Sequence, residues 1–191
     1  MRHDLLLGRC IPSVQAQGYP AVEHLVVSDG PDPVLREKLA RPWLDGWRNL
    51  RYLELPAHDE DRHYGHHARA HGLELARGEY IAYVDDDDSL CPDHCHRLAA
   101  ALDAAPEAGF AVSQMASHGP HGITVIGEGE LACGNVGTPM IMHRRWPLEI
   151  AGWDHAGQFE DWDLVWAWLR AGAPYVRVNA VTCDAWPSIF R

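Results

Sequence analysis

An α/β fold is the class this chain predicts, on three grounds. Short apolar runs alternate with amphipathic segments through the first hundred residues, the pattern of a sheet built from parallel crossovers. Two of those runs end abruptly in acid, at Asp29 and at Asp85 to Asp88, where strands of such a sheet leave it and where ligands bind. The length of 191 residues, 47% of them hydrophobic and 23% charged, suits one domain with a substantial core.

In chain order, Leu5, Leu6, Leu7, Ile11 and Val14 recur at helical spacing, so residues 3–17 predict an amphipathic helix with a weak point at Pro12, ended by Gly18-Tyr19-Pro20. Glu23 to Ser28 is a strand that stops at the turn Asp29-Gly30-Pro31-Asp32. A short helix follows over Val34 to Leu39, then an irregular stretch from Arg41 to Asn49 and a strand over Leu50 to Leu55. His58 to Arg62 is polar loop, and Tyr64 to Arg77 reads as a helix closed by Gly78.

Tyr80 to Val84 is a short apolar strand, the one that runs into the four aspartates. Pro92 opens a helix that continues through the alanine-rich run to Ala104. Phe110 to Met115, Ile123 to Ile126, Pro139 to His143 and Tyr175 to Val178 are further strands. A helix over Phe159 to Arg170, ending at Gly172, lies between the last two.

The formal charge of −11 argues against nucleic acid or an anionic membrane surface as the main partner. Lys38 is the single lysine, so arginine carries the positive charge. Five cysteines form no regular disulfide framework, no signal peptide opens the sequence, and no apolar run reaches a membrane span, which together point to a reduced, cytoplasmic protein.

The chemistry gathers at three acidic spots: Asp29 with Gly30, Asp85 to Asp88, and Glu160 with Asp161 at the start of a late helix. Adjacent carboxylates repel, and a divalent cation with a taste for hard oxygen ligands, Mg²⁺ or Mn²⁺, would relieve that repulsion. Each spot also has a structural reading. Asp29 can shape its turn, Asp85 to Asp88 can be a solvated acidic turn before the next helix, and Glu160-Asp161 can simply favour a helix N-terminus. A zinc site from Cys91, His94, Cys95 and His96, or from His63, His67 and His71, lacks the Cys-x₂-Cys spacing of structural zinc.

Taken together, SVQAQGYPAVEHLVVSDGPD, ARAHGLELARGEYIAYVDDDDSLCPD and FEDWDLVWAWLRAG resemble, in order and spacing, the inverting glycosyltransferases of family 2. The resemblance implies a GT-A fold, a Rossmann-like mixed sheet flanked by helices. It implies one domain over 1–191, with a nucleotide-binding part at about 1–90 and an acceptor part at about 91–191. The implied reaction moves a sugar from a UDP-, dTDP- or GDP-linked donor to the hydroxyl of a carbohydrate or other acceptor.

By that resemblance Asp29 would bind the base, Asp85 and Asp86 the ribose and diphosphate region, and Asp87 the Mn²⁺ or Mg²⁺ of an Asp-x-Asp motif. Arg69 matches the arginine of the family's Ala-Arg-Asn motif, although Ala70 replaces the asparagine, and a surface arginine is the equal alternative. Asp161 matches the catalytic base and Glu160 its supporting neighbour. Trp153 and Trp168 lie near in sequence as candidate sugar platforms, while Trp162, Val165, Trp166 and Leu169 share a core-facing stripe. Gly134-Asn135 falls where relatives shape the acceptor pocket and is also an ordinary turn.

Two departures stand out. Relatives begin with a strand of the type Val-Ser-Val-Ile-Ile-Pro, whereas this chain starts with the following helix, so the expected sheet lacks its first β-strand and pairing with another copy becomes an expectation. Many relatives also carry a late histidine that helps hold the metal, where this tail has Cys183 and Asp184. The alternative to full activity is a relative that binds nucleotide or sugar with little turnover.

Overall fold

The computed structural model describes residues 2–40, 47, 49–57, 65–153 and 160–186. The predicted loop at His58 to Arg62, most of the irregular stretch 41–49, His63 and the first residues of two predicted helices, Tyr64 and Phe159, lie outside them.

The first helix, α1, spans residues 3–15, as its apolar spacing requires, but it is not uniform. Leu6–Cys10 forms a π-helical turn directly before the segment that contains Pro12. Proline has no N–H to give and its ring presses on the carbonyl four residues back, so a widened turn at that point absorbs the conflict without ending the helix. The helix is anchored at its far end by Gln17, whose Nε2 donates to Cys91 O at 2.7 Å and whose Oε1 accepts from Cys95 N at 3.0 Å.

Next comes β1 (His24–Ser28), then α2 (Pro33–Leu39), with Asp32 as its cap: Oδ1 accepts from Leu35 N at 2.9 Å, and Pro33 takes the first helical position. β2 (Leu50–Glu54) pairs with β1 in parallel, and α3 (His66–Leu75) follows. α3 packs on β1 closely enough that Gly72 lies 3.6 Å, measured from where a Cβ would sit, from a Val27 methyl.

The remaining strands form a second, mixed sheet: β3 (Ile81–Ala82), β4 (Ser89–Leu90), β5 (Phe110–Gly119), β6 (Gly122–Ile126), β7 (Ile141–His143) and β8 (Tyr175–Ala185), in the order β3-β7-β5-β8-β4 with β6 on β5. α4 (His94–Ala104) and α5 (Glu160–Arg170) are the remaining α-helices among the described residues. The expectation of parallel crossovers therefore holds for β1 with β2 and for β5 with β8, while β3–β7, β4–β8, β5–β6 and β5–β7 are antiparallel.

Two strands run longer than their apolar cores predict, since β5 and β8 pair with each other through Ser117 and Ala185. Among the described residues, Tyr80 to Val84 pairs only at Ile81 and Ala82, opposite His143 and Met142 of β7. Pro139 and Met140, predicted as the start of a strand, lie instead in a 3₁₀ turn over Thr138–Met140, where proline's fixed φ suits the turn.

The main core lies between the second sheet and α5. Phe110, Val112, Met140, Ile141, Val165 and Trp168 are buried there, and Phe110 meets Trp168 at 5.1 Å and Tyr175 at 5.3 Å between ring centroids. This corrects the predicted helix stripe: Leu164, Val165 and Trp168 face inward, whereas Trp166 is 47% exposed and stacks on Trp162 at 5.6 Å.

Candidate active site

The order of strand and turn delivers the three acidic spots to one place. Asp29 and the turn at Asp85 to Asp88 leave β1 and the Tyr80–Val84 run at the same end, and α5 begins beside them. Asp29, Asp85, Asp86, Asp87, Arg69 and Asp161 all line one cavity of about 850 Å³. Glu160 opens α5, but its side chain falls outside the described set.

Arg69, on α3, is a cation that acts on both Asp85 and Asp161. Its guanidinium bonds Asp85 Oδ1 at 2.6 Å and lies 4.8 Å from the centroid of the Trp153 ring. Asp161 is half-buried, and its carboxyl titrates above the usual range chiefly because burial disfavours its charge; Arg69 opposes that shift and Asp85 adds to it.

Trp153 is 3% exposed, held between Arg69 and the Tyr83 ring, which meets it edge-on at 5.0 Å. Trp168 is fully buried and donates from Nε1 to Ala151 O at 3.1 Å. Neither offers a ring face to a sugar, because both are enclosed by the packing that positions α5. Trp153 instead supports Arg69.

Behind Trp153 lies a pair invisible in the sequence. His143 Nδ1 bonds Arg144 O at 2.5 Å, and a carbonyl only accepts, so Nε2 is the acceptor for the Tyr83 hydroxyl at 2.7 Å. Burial holds His143 neutral, with its pKa lowered to about 4.

The four aspartates do not share one environment. Asp85 faces Arg69, and Asp86 Oδ2 accepts from the Arg2 amide at 2.8 Å. Asp87 is buried, bonds the Arg2 guanidinium at 2.7 Å, and its carbonyl accepts from Arg9 at 2.8 Å. Burial raises its pKa, Arg2 counters, and Asp86 and Asp85 add to the rise. Asp88 is 6% exposed, accepts from Trp186 N at 3.2 Å, and is pushed up to about 8 by burial first and then by Asp85 and Asp87.

Arg2 and Arg9 escaped the sequence reading. Arg2 stands at the N-cap of α1 and Arg9 lies in its π-helical turn, so no regular helical period in the sequence marks the pair. Arg9 also stacks on Trp186 at 3.7 Å, and Trp186 stacks on His118, which bonds Asp184 at 2.7 Å. A histidine thus reaches this end of β8 from β5.

Hard carboxylate oxygens gathered in one turn fit a divalent cation, which would offset their mutual repulsion. Among the described residues no group of three or more His, Cys, Asp and Glu side chains is preassembled as a metal site. The residues of the zinc reading do other work: His94 is buried and bonds Thr182 Oγ1 at 2.8 Å, and Cys95 is buried in the cluster around Leu98. Asn135 ties the loop before β7, accepting from Gly127 N at 2.7 Å and donating to Glu128 O and Glu130 O. No described helix is long and apolar enough to cross a membrane.

Among known proteins, the putative glycosyltransferase EpsH of Bacillus subtilis (strain 168) is 33% identical over 92 residues, 47% of this chain and 24% of that protein. Residues 1–349 of S. aureus TarS in complex with UDP-GlcNAc superpose with a TM-score of 0.72 at 18% identity, covering 97% of this chain and 56% of that one. The mannosyltransferase PcManGT from Pyrobaculum calidifontis, in complex with GDP-Man and Mn²⁺, gives 0.69 at 15% identity, covering 96% and 53%.

The chain thus spans about a quarter of the length of the curated relative and little more than half of these structures. At such identities the structural likeness speaks for the fold, which is GT-A. The model of glycosyl transferase family 2 matches residues 4–128, which takes in Asp29, Arg69 and the aspartate turn and stops short of Asp161. With well over half of its length matched, this chain belongs to glycosyl transferase family 2.

Proposed function

We propose that this domain transfers a sugar from a nucleotide-diphospho-sugar to an acceptor hydroxyl, with inversion at the anomeric carbon. The observation that carries the reading is the bridge made by Arg69, which bonds Asp85 at 2.6 Å while its charge acts on Asp161 across the same cavity. One carboxylate on the acceptor side is sufficient for a single displacement, so no second nucleophile is required. Complexes of the structural neighbours with UDP-GlcNAc and GDP-Man support the donor class.

In this reading Asp29 receives the base, Asp85 and Asp86 the ribose and diphosphate region, and Asp161 takes the proton of the acceptor hydroxyl as its oxygen attacks. The raised pKa of Asp161, caused first by its burial, makes it a stronger base than an exposed aspartate. Asp87 would hold Mn²⁺ or Mg²⁺ with Asp86 beside it, the cation supplying charge stabilisation to the departing diphosphate. Arg2 pairs with both carboxylates and would have to yield Asp87 to the cation.

Calorimetric titration of UDP, dTDP and GDP, each with and without Mn²⁺, tests the donor site. One nucleotide should bind, and more tightly with Mn²⁺; no binding by any of the three would sink the reading. A second reading, a domain that binds nucleotide or sugar with little turnover, is favoured by one observation: β1 and β3 belong to separate sheets, with the site at the gap between them. Donor binding without transfer or donor hydrolysis would select it.

A further inference from the structure

Three aromatic side chains from separate segments meet behind Arg69. Ile81 pairs with His143, so Tyr83, two residues on, is its diagonal neighbour, within reach of an aromatic ring. The Tyr83 and His143 rings stack at 5.6 Å between centroids, and the Tyr83 ring meets Trp153 edge-on at 5.0 Å. His143 also touches Trp168 of α5 at 5.1 Å. One buried histidine thus abuts both the run that leads into the aspartates and the helix that carries Asp161.

Each of the three carries a polar group into the interior, and such groups require partners. His143 Nδ1 gives its proton to Arg144 O, so Nε2 accepts from the Tyr83 hydroxyl at 2.7 Å. The Tyr83 oxygen then has only lone pairs left to offer. Trp153 Nε1 is buried and has no hydrogen-bond partner among the described residues. Burial raises the Tyr83 pKa, and the groups that oppose the rise are Trp153 and Arg69, which puts the indole N–H on the side of that oxygen. Apolar side chains could fill the same space. Polar ones also fix orientation, because the order of donors and acceptors runs one way.

We propose that Tyr83 and His143 are positioning residues for Arg69, acting through Trp153. The hydroxyl turned to His143 leaves its lone pairs to the Trp153 N–H, and the indole so held seats the Arg69 guanidinium on its face. The guanidinium lies 4.8 Å from the ring centroid and 2.6 Å from Asp85 Oδ1. What is positioned is a charge. Arg69 and Asp85 act on Asp161 in opposite senses, and their balance depends on where the guanidinium lies.

The role of Asp161 rests on the transfer reading, but the test needs no nucleotide and no turnover, so either can fail without the other. Carboxyl ¹³C shifts of aspartate-labelled, metal-free protein, with Asp161 assigned from Asp161→Asn, give its titration midpoint. Arg69→Met should raise that midpoint. Tyr83→Phe, which removes an oxygen and keeps the ring, should raise it toward the same value. In the Arg69→Met background Tyr83→Phe should move it no further, since a clamp that acts through Arg69 then has nothing to hold. His143→Gln keeps an acceptor for the hydroxyl and should stay close to the native midpoint, whereas His143→Leu should match Tyr83→Phe.

An unchanged midpoint in Tyr83→Phe would overturn the proposal. So would a shift of equal size with and without Arg69, which would mark Tyr83 as a packing residue. The native protein supplies a test that no variant's folding can spoil: ¹⁵N shifts should show His143 as the neutral Nδ1–H tautomer near neutral pH. The Nε2–H tautomer would reverse the proton order and overturn the proposal equally.

Discussion

Asp88 and Asp161 are two of the carboxyls that the fold buries, and each carries a pH signature of its own. For Asp88 the folded-state pKa of about 8 lies above the ordinary value of 3.8. The folded protein therefore holds this proton more tightly than the unfolded chain, so the stabilisation is fully present below about pH 4 and is lost as pH rises through about 8. Urea unfolding without divalent metal should show stability falling across that window, and Asp88→Asn should flatten the fall. If Asp161 is the base of the proposed reaction, its raised pKa should shift the acid limb of kcat/KM upward from that of an exposed aspartate. Asp161→Asn should cost about 10²- to 10⁴-fold in transfer, as loss of a general base does, with donor affinity retained. Because Arg69 opposes the shift, Arg69→Met should move the same acid limb to still higher pH, measurable in the rate profile.

At the scale of elements, the helices and strands were legible wherever local pattern and tertiary pairing agree. The period of Leu6, Ile11 and Val14 marks α1, and Pro33 and Gly172 punctuate helices as their backbone chemistry demands. Extent was less legible. β5 and β8 continue past their apolar cores because each is zipped to the other, and β4 consists of two residues that are strand only because Cys183 and Asp184 lie opposite.

The loop between β6 and β7 shows what such punctuation is worth. Gly127 has φ +94°, and a Cβ there would stand 2.5 Å from Met140 Cε and 3.0 Å from Ser113 O. Gly127→Ala should destabilise the fold by about 1–3 kcal/mol through backbone strain, with the crowding added, as read by denaturant titration.

Across the whole molecule, a net charge of −11 sets the terms on which the anionic donor of the proposed reaction would be held. Attraction must come from local cations, and Arg2, Arg9 and Arg69 all converge on the aspartate end. UDP or whichever nucleotide binds should raise the thermal midpoint, by an amount equivalent to about 2.7 kcal/mol at one hundred times its dissociation constant. With Mn²⁺ withheld by chelation, the same nucleotide concentration should give a clearly smaller shift.

The sequence by itself determined the order of strands and helices, the three acidic stations and the family whose spacing they share, because these are properties of neighbours along the chain. Only the tertiary structure decided that Trp153 and Trp168 are enclosed while Trp166 is open, that Arg2 and Arg9 attend the aspartates, and that Tyr83 and His143 lie behind Arg69. It also separated the strands into two sheets with a slot between them. The physical reason is the same in each case: burial, ion pairing and strand pairing join residues far apart in sequence, and no local period encodes which distant partner arrives.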